Sequence, residues 1–320
     1  MRKFAQTVAV VVAAALAVAG CSGGGGNDGG YPGRTIRLIT HSPAGSGGDL
    51  FVRPMADALS EIMGVDVRVE NRPGGLTAAA MKATKDSKPD GYTLTVPNDS
   101  YLTAPLTEDT GYSVFEDLTP IARLIIEGEV LFVKADSPYQ SVGDLMTAVR
   151  QAPQKWAMQG ATTAQSILVS QLVKQYGLQI EKVPFTDSES TVTSVLNGDT
   201  VATIGELSEA SELADAGKIR ILAATTPERI EGKYSTVPTL VESGFDVSTT
   251  KSRGIAGPAG LPADVVTAVE NAVQKMLAQQ SYREVLERNF QIPSYQGHEE
   301  YTAFLHEVDN DYRSALAASA

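Results

Sequence analysis

The chain has 320 residues, 26 basic and 38 acidic side chains for a net charge of −12, one cysteine and three histidines. So acidic a balance excludes the basic footprint of a nucleic-acid binder or of a protein drawn to anionic membrane surfaces. The length suffices for two domains of ordinary size.

Arg2 and Lys3 precede the small apolar run "VAVVVAAALAVAG", which is short for a bilayer span and shaped as a secretory signal over residues 1–20. The run ends in "VAGC", with Cys21 after a small residue, as in the lipobox of bacterial lipoproteins. Cys21 is therefore expected to carry lipid and to hold the protein outside the cell membrane. The following "SGGGGNDGG" cannot pack and reads as a flexible tether over 21–30. With Cys21 lipidated, no thiol is left for a disulfide, a metal site or a nucleophile. Nucleotide cofactors are scarce outside the cytoplasm, and no cofactor is expected.

Beyond the tether, strand-like and helix-like pieces alternate, which predicts an α/β fold with largely parallel sheet. Strands are expected at 35–40, 65–70 and 92–96, and helices at 49–63 and 76–86. The first strand and helix are joined by "HSPAGSGGDL", which holds Gly45, Gly47 and Gly48. Backbone N–H groups and the positive end of a helix dipole meet in such a loop, so it can receive an anion; equally, it can be a tight turn with Ser46 or Asp49 as a cap. A Walker loop is excluded because no lysine is present, and the third glycine falls too early for the dinucleotide motif, although Glu70 lies at a suggestive distance.

"NDSY" at 98–101 reads as a polar strand end of the kind that lines a cleft. "TPIARLIIEGEVLFVKADSP" is expected to be a long strand pair crossing at Glu127-Gly128-Glu129, followed by a helix with Ser141 as N-cap and Asp144 three residues on. A second strand, small-residue loop and helix unit follows in "KWAMQG", "ATTAQS" and "ILVSQLVKQYG". Strands are then read in "IEKVPF", "TVATIGEL", "KIRILAATT" and "RGIAGPAGLP", with helices in "STVTSVLNG" and "TVPTLVESGF". Helices close the chain from Ala263 to Gln279, in "SYREVLERNF" and in "EEYTAFLHEVDNDYRSAL".

Enzyme signals are weak. His298 and His306 lie too far apart for the HExxH zinc motif, no GxSxG elbow occurs, and the acidic C-terminal helix lacks calcium-loop spacing. His41 stands at a strand end beside the glycine loop. Arg53 and Arg253 are the best cationic candidates for a cleft, with surface or hinge ion pairing as the plainer reading of both.

"YPGRTIRLITHSPAGSGGDLFVRPMADALSEIMGVDVRVENRPGG" resembles the N-terminal signature of the tripartite tricarboxylate transporter substrate-binding receptors, the Bug family. "PDGYTL", "GKIRILAATTPER", "VPTLVESGF" and "GPAGLPADVV" follow in family order. The resemblance implies a periplasmic-binding-protein type II architecture, two α/β lobes around a central cleft joined by two crossing strands. Lobe one would be 31–127 plus 253–320, and lobe two 128–252. The implied function is a non-enzymatic, monomeric receptor that delivers a small organic anion, a carboxylate above all, to membrane transporter subunits. A sensor accessory to a membrane signalling kinase is the alternative.

By position in the family, Ser42, Pro43, Ala44, Gly45, Ser46, Gly47, Gly48 and Asp49 would form one binding loop. Gly160, Ala161, Thr162, Thr163, Ala164, Gln165 and Ser166 would form its partner. Asn98, Ser100, Phe185 and the Gly205-Glu206 loop would complete the wall, Glu206 adding a negative charge at its edge.

Overall fold

The apolar runs of the sequence fold into two separate sheets, each with a core on both faces. The computed structural model describes residues 30–159, 163–185, 187–230 and 232–319. The expected signal, nearly all of the expected tether including Cys21, and Gly160, Ala161 and Thr162 lie outside the described residues.

The first sheet contains β1 (Ile36–Thr40), β2 (Val67–Asn71), β3 (Thr93–Thr95), β4 (Leu118–Glu127), β10 (Lys251–Pro258) and β11 (Gln291–Gln296), in the order β11-β4-β10-β3-β1-β2. The second contains β5 (Glu129–Lys134), β6 (Gln154–Gln159), β7 (Ile180–Phe185), β8 (Ala202–Glu206) and β9 (Ile219–Ala224), in the order β7-β6-β8-β5-β9. The helices are α1 (Gly47–Met63), α2 (Ala78–Lys85), α3 (Ser100–Thr103), α4 (Val114–Asp117), α5 (Val142–Gln151), α6 (Ala164–Tyr176), α7 (Ser188–Asn197), α8 (Leu207–Asp215), α9 (Ala263–Ala278), α10 (Gln280–Arg288) and α11 (His298–Ser319).

The expectation of largely parallel sheet holds for only part of each sheet. β1 is parallel to β2 and β3, and β6 is parallel to β7 and β8. The strands that carry the chain between sheets run antiparallel to their neighbours: β10 to β3 and β4, and β5 to β8 and β9. β4 and β5 are not a hairpin pair. The chain leaves the first sheet at Glu127, turns through Gly128 and enters the second at Glu129.

Two other readings change. "TVPTLVESGF" forms turns rather than a helix, and α8 and β11 occur where no element was read. Pro293 within β11 hides that edge strand from a pattern search, since proline normally demotes a strand. The capping box of α5 forms as expected, with Ser141 Oγ accepting from Asp144 N–H and the Asp144 carboxylate accepting from Ser141 N–H.

In the first sheet α1, α9 and α10 pack Phe51, Met55, Val269 and Met276 on Leu38, Leu124 and Ile255. In the second, α5 and α6 pack Leu145, Val149 and Leu172 on Leu131, Trp156 and Ile204. A third cluster joins the two halves: Ala164 and Ile167 of α6 pack with Tyr101, Leu305 and Tyr312. Trp156 is completely buried.

Gly254 on β10 is needed for close approach. A Cβ there would stand 2.4 Å from Cζ of the buried Tyr301 on α11. Gly254→Ala is expected to lower stability by about 1–3 kcal/mol through overpacking, measured by chemical denaturation. An unchanged unfolding midpoint would show that α11 moves aside freely.

Candidate functional site

A cavity of about 250 Å³ opens where the two sheets face each other, smaller than the roughly 300–1,000 Å³ typical of pockets for drug-sized ligands. The first sheet contributes His41, Ser42, Pro43, Ser46, Gly47 and Gly48 from the loop after β1. It also contributes Asn98, Asp99, Ser100 and Thr103 beyond β3. The second sheet contributes Gln159, Thr163, Ala164, Gln165, Ser188, Glu206 and Glu209, and the crossing segments contribute Glu129, Lys251 and Arg253.

The glycine loop is shaped by its own side chains. Gly45 N–H donates to Asp49 Oδ2 at 2.8 Å, in a left-handed conformation with φ 82° that glycine alone adopts cheaply. Ser46 Oγ donates to Pro43 O at 2.7 Å. Asp49 is buried and accepts from Arg53 Nε and Asn71 Nδ2, each at 2.8 Å. Burial alone would raise its pKa, but the hydrogen bonds from Arg53, Asn71 and Gly45 outweigh that and hold it at about 2. Asp49 is thus an ionised strut behind the loop and does not line the cavity. Arg53 is spent on the same strut.

At Gly48 a Cβ would fall 2.0 Å from Ser42 Oγ and 3.4 Å from an Arg253 guanidinium nitrogen. The absent side chain lets the start of α1 press against the loop and the arginine. Ala44 and Gly45 face solvent away from the cavity, and Phe185 ends β7 without lining it. Of the second loop, Thr163, Ala164 and Gln165 line the cavity, and Ser166 lies buried in the first turn of α6, where its N–H donates to the capping Thr163 Oγ1.

The charges of the site come from residues far apart in sequence, aligned by strand register. β10 sets Lys251 opposite Glu127, and β5 sets Glu129 opposite Glu206. Arg253 Nε donates to Glu127 Oε1 at 2.9 Å, with both side chains under 7% exposed, and lies 3.7 Å from Glu206. Lys251 Nζ is paired with Glu206 Oε1. The two cations lining the cavity are therefore already bound to the chain's own carboxylates. Glu127 also accepts from Gln291 Nε2 at 2.6 Å, so β11 takes part in the network.

Two carboxylates directly opposite across a strand pair repel, and the protein resolves this asymmetrically. Burial would raise Glu206, but the charges of Lys251 and Arg253 draw it well below the usual range. Burial pushes Glu129 up to about 8, with Lys251 opposing and Glu206 and Asp99 adding to the rise. Gln165 Nε2 donates to Glu129 Oε1, while Oε2 has no partner among the described residues. Asp99 is raised to about 6 by burial, although Ser252 Oγ donates to it at 2.9 Å. His41 is lowered to about 3 by burial and by Arg253 and Lys251, so it is a neutral imidazole beside Tyr101 at neutral pH.

Besides the loop residues, Asn98, Ser100, Thr163 and Glu206 reach the cavity as expected, and Asp99 does so within the polar stretch at 98–101. Glu129, Glu209 and Lys251 line it without having been expected there. The signal available was the charged "EGE" at the crossing and the "KSR" of the returning strand, which a two-lobed reading brings together.

Between pH 4.5, the ordinary value, and about 8, folded Glu129 holds a proton that the unfolded chain has released, so stability falls as pH rises through that window. Glu129→Gln removes this dependence while keeping the shape. Thermal unfolding is expected to show the variant close to wild type near pH 5 and increasingly more stable than wild type toward pH 8. A constant difference across that range would contradict the assignment.

The model of the family described as "Tripartite tricarboxylate transporter family receptor" matches residues 51–315. The chain is 30% identical over 223 residues to protein BugT of Bordetella pertussis, covering 67% of each chain. It is 28% identical over 280 residues to a protein of Cupriavidus necator, covering 87% of this chain and 85% of that one. Among solved structures, a TctC solute-binding protein from Polaromonas superposes with TM-score 0.77 at 27% identity, over 90% of this chain and 99% of the other. An R. palustris protein solved with adipate superposes with TM-score 0.80 at 24% identity, over 90% and 98%. MatC of Rhodopseudomonas palustris, with bound malate, reaches 0.77 at 19% identity, over 89% and 99%. The two sheets facing one cavity are thus the two-lobed α/β fold of extracytoplasmic solute-binding proteins rather than enzymes, and the chain belongs to the tripartite tricarboxylate transporter receptors.

Proposed function

We propose that the protein is a lipid-anchored receptor that captures a small carboxylate between its lobes and hands it to transporter membrane subunits. The observation that carries this reading is the cavity between the sheets, walled from both sides by small hydroxyl and glycine-bearing loops at helix starts. Ser42, Ser46, Gly47 and Gly48 lie at the start of α1, and Thr163 caps α6. Helix N-termini offer unpaired N–H groups and positive dipole ends, which bind an anion without a free cation. The family membership and the adipate and malate held by two proteins of the same fold support the carboxylate.

The lobes in this reading are 31–127 with 253–320, and 128–252, and binding draws donors from both onto one ligand, which couples capture to closure of the hinge. Closure gives the membrane partner a liganded shape to recognise. The anchor is Cys21, and a single lipidated receptor acts as a monomer.

Gly47 is the cleanest probe of the loop, since a Cβ there meets nothing nearer than Glu206 Oε2 at 3.6 Å. Gly47→Val is expected to weaken binding of the best carboxylate by about tenfold or more with little change in unfolding temperature, because the cost falls on the anion's approach to the backbone. Calorimetry on the compact unit from Tyr31 onward tests this. Wild-type affinity in the variant, or no response of the parent to any small carboxylate, would overturn the reading. For the anchor, Cys21→Ser is expected to move the protein from the membrane fraction to the soluble extracytoplasmic fraction; retention on the membrane would contradict it.

A further inference from the structure

The cavity is lined by four carboxylate side chains, Asp99, Glu129, Glu206 and Glu209, against Lys251 and Arg253. Both cations are engaged by Glu206, and Arg253 by Glu127 as well. A dicarboxylate entering this space meets an excess of negative charge and no cation that is unbound. Glu206 makes the conflict local. Its Oε2 lies 3.6 Å from where a Gly47 side chain would begin, so the chain's own carboxylate already stands at the N-terminus of α1. A ligand with a carboxylate at each helix start would set one of them against Glu206.

Glu129 supplies the independent observation. It is 1% exposed, it lines the cavity, and its Oε2 accepts no hydrogen bond from the described residues. A buried carboxylate oxygen without a partner forfeits its hydrogen bond, at greater cost when charged, unless something that enters the site completes it. Before a ligand enters, Glu129 holds a proton; an entering cation displaces that proton to solvent, completes the ionised oxygen and offsets Glu206 and Glu209. Glu209, half-buried on α8, accepts from Ser188 Oγ at 3.0 Å. A metal ion is the poorer fit, since no group of three or more His, Cys, Asp or Glu among the described residues has the geometry to hold one.

We propose that the cleft selects a small zwitterion, a carboxylate that also bears an ammonium group, with the ammonium received by Glu129 and the carboxylate by the hydroxyl-lined loops. This rests on the receptor reading above and narrows its ligand class. Glu206 then acts as a specificity residue, holding the place that the second carboxylate of a dicarboxylate would need.

The test is calorimetry on the unit from Tyr31 onward with glutarate, adipate, their ω-amino-carboxylate counterparts of matched length, the common L-amino acids and simple alkylamines. An amino-carboxylate is expected to bind at least about tenfold more tightly than the matched dicarboxylate, the order of one charge-assisted hydrogen bond. Glu129→Gln, which keeps the fold and the side-chain shape, is expected to remove that advantage without weakening the dicarboxylate. Glu206→Gln is expected to improve dicarboxylate binding. A dicarboxylate that binds the wild type as tightly as its amino counterpart overturns the zwitterion proposal and leaves the carboxylate receptor standing. Binding of alkylamines alone keeps the ammonium acceptor and overturns the carboxylate. No response to any probe overturns both.

Discussion

Everything at the centre of this molecule depends on how two cations, Arg253 buried and Lys251 half-buried, are shared among the carboxylates around them. Lys251 and Arg253 arrive on the strand that returns from the second sheet to the first, Glu127 and Glu129 flank the outgoing crossing, and Glu206 ends a strand of the second sheet. Breaking a buried ion pair by withdrawing one partner costs about 3–5 kcal/mol. A ligand carboxylate that claimed Arg253 from Glu127 would have to offset that loss, whereas the N–H and hydroxyl donors of the two helix starts ask for no such exchange. In the proposed reading the site uses neutral donors for the anion and keeps its cations for internal cohesion.

The same network ties the site to the hinge. Glu127, Glu129, Lys251 and Arg253 sit on the two segments that cross between sheets, and Glu206 reaches them from the end of β8. Apolar packing reinforces this from the side, where Ala164 and Ile167 of the second half meet Tyr101, Leu305 and Tyr312 of the first.

The glycine loop was legible in the sequence because its signal is local: a strand, small residues with Ser46, and an amphipathic helix within one short stretch. What that stretch could not reveal was the direction of Asp49, which looks like a ligand-facing acid and instead braces Gly45, Arg53 and Asn71 from behind. The acidic wall was legible only in part, through Glu206. Glu129 and Lys251 acquire meaning from pairings across more than forty residues of separation, Glu129 with Glu206 and Lys251 with Glu127, which no local pattern carries. The parallel character of the sheets was overestimated for a related reason: the crossing strands look like any others in a list of apolar runs, and only their return path makes them antiparallel.

The most direct test of this account is a crystal structure of the protein holding the solute it retains from its native host. The account predicts a ligand between Gly47 and Thr163, with Lys251 still on Glu206 and Arg253 still on Glu127. A ligand carboxylate bound directly by Lys251 or Arg253, with either cation drawn away from its internal partner, would contradict it.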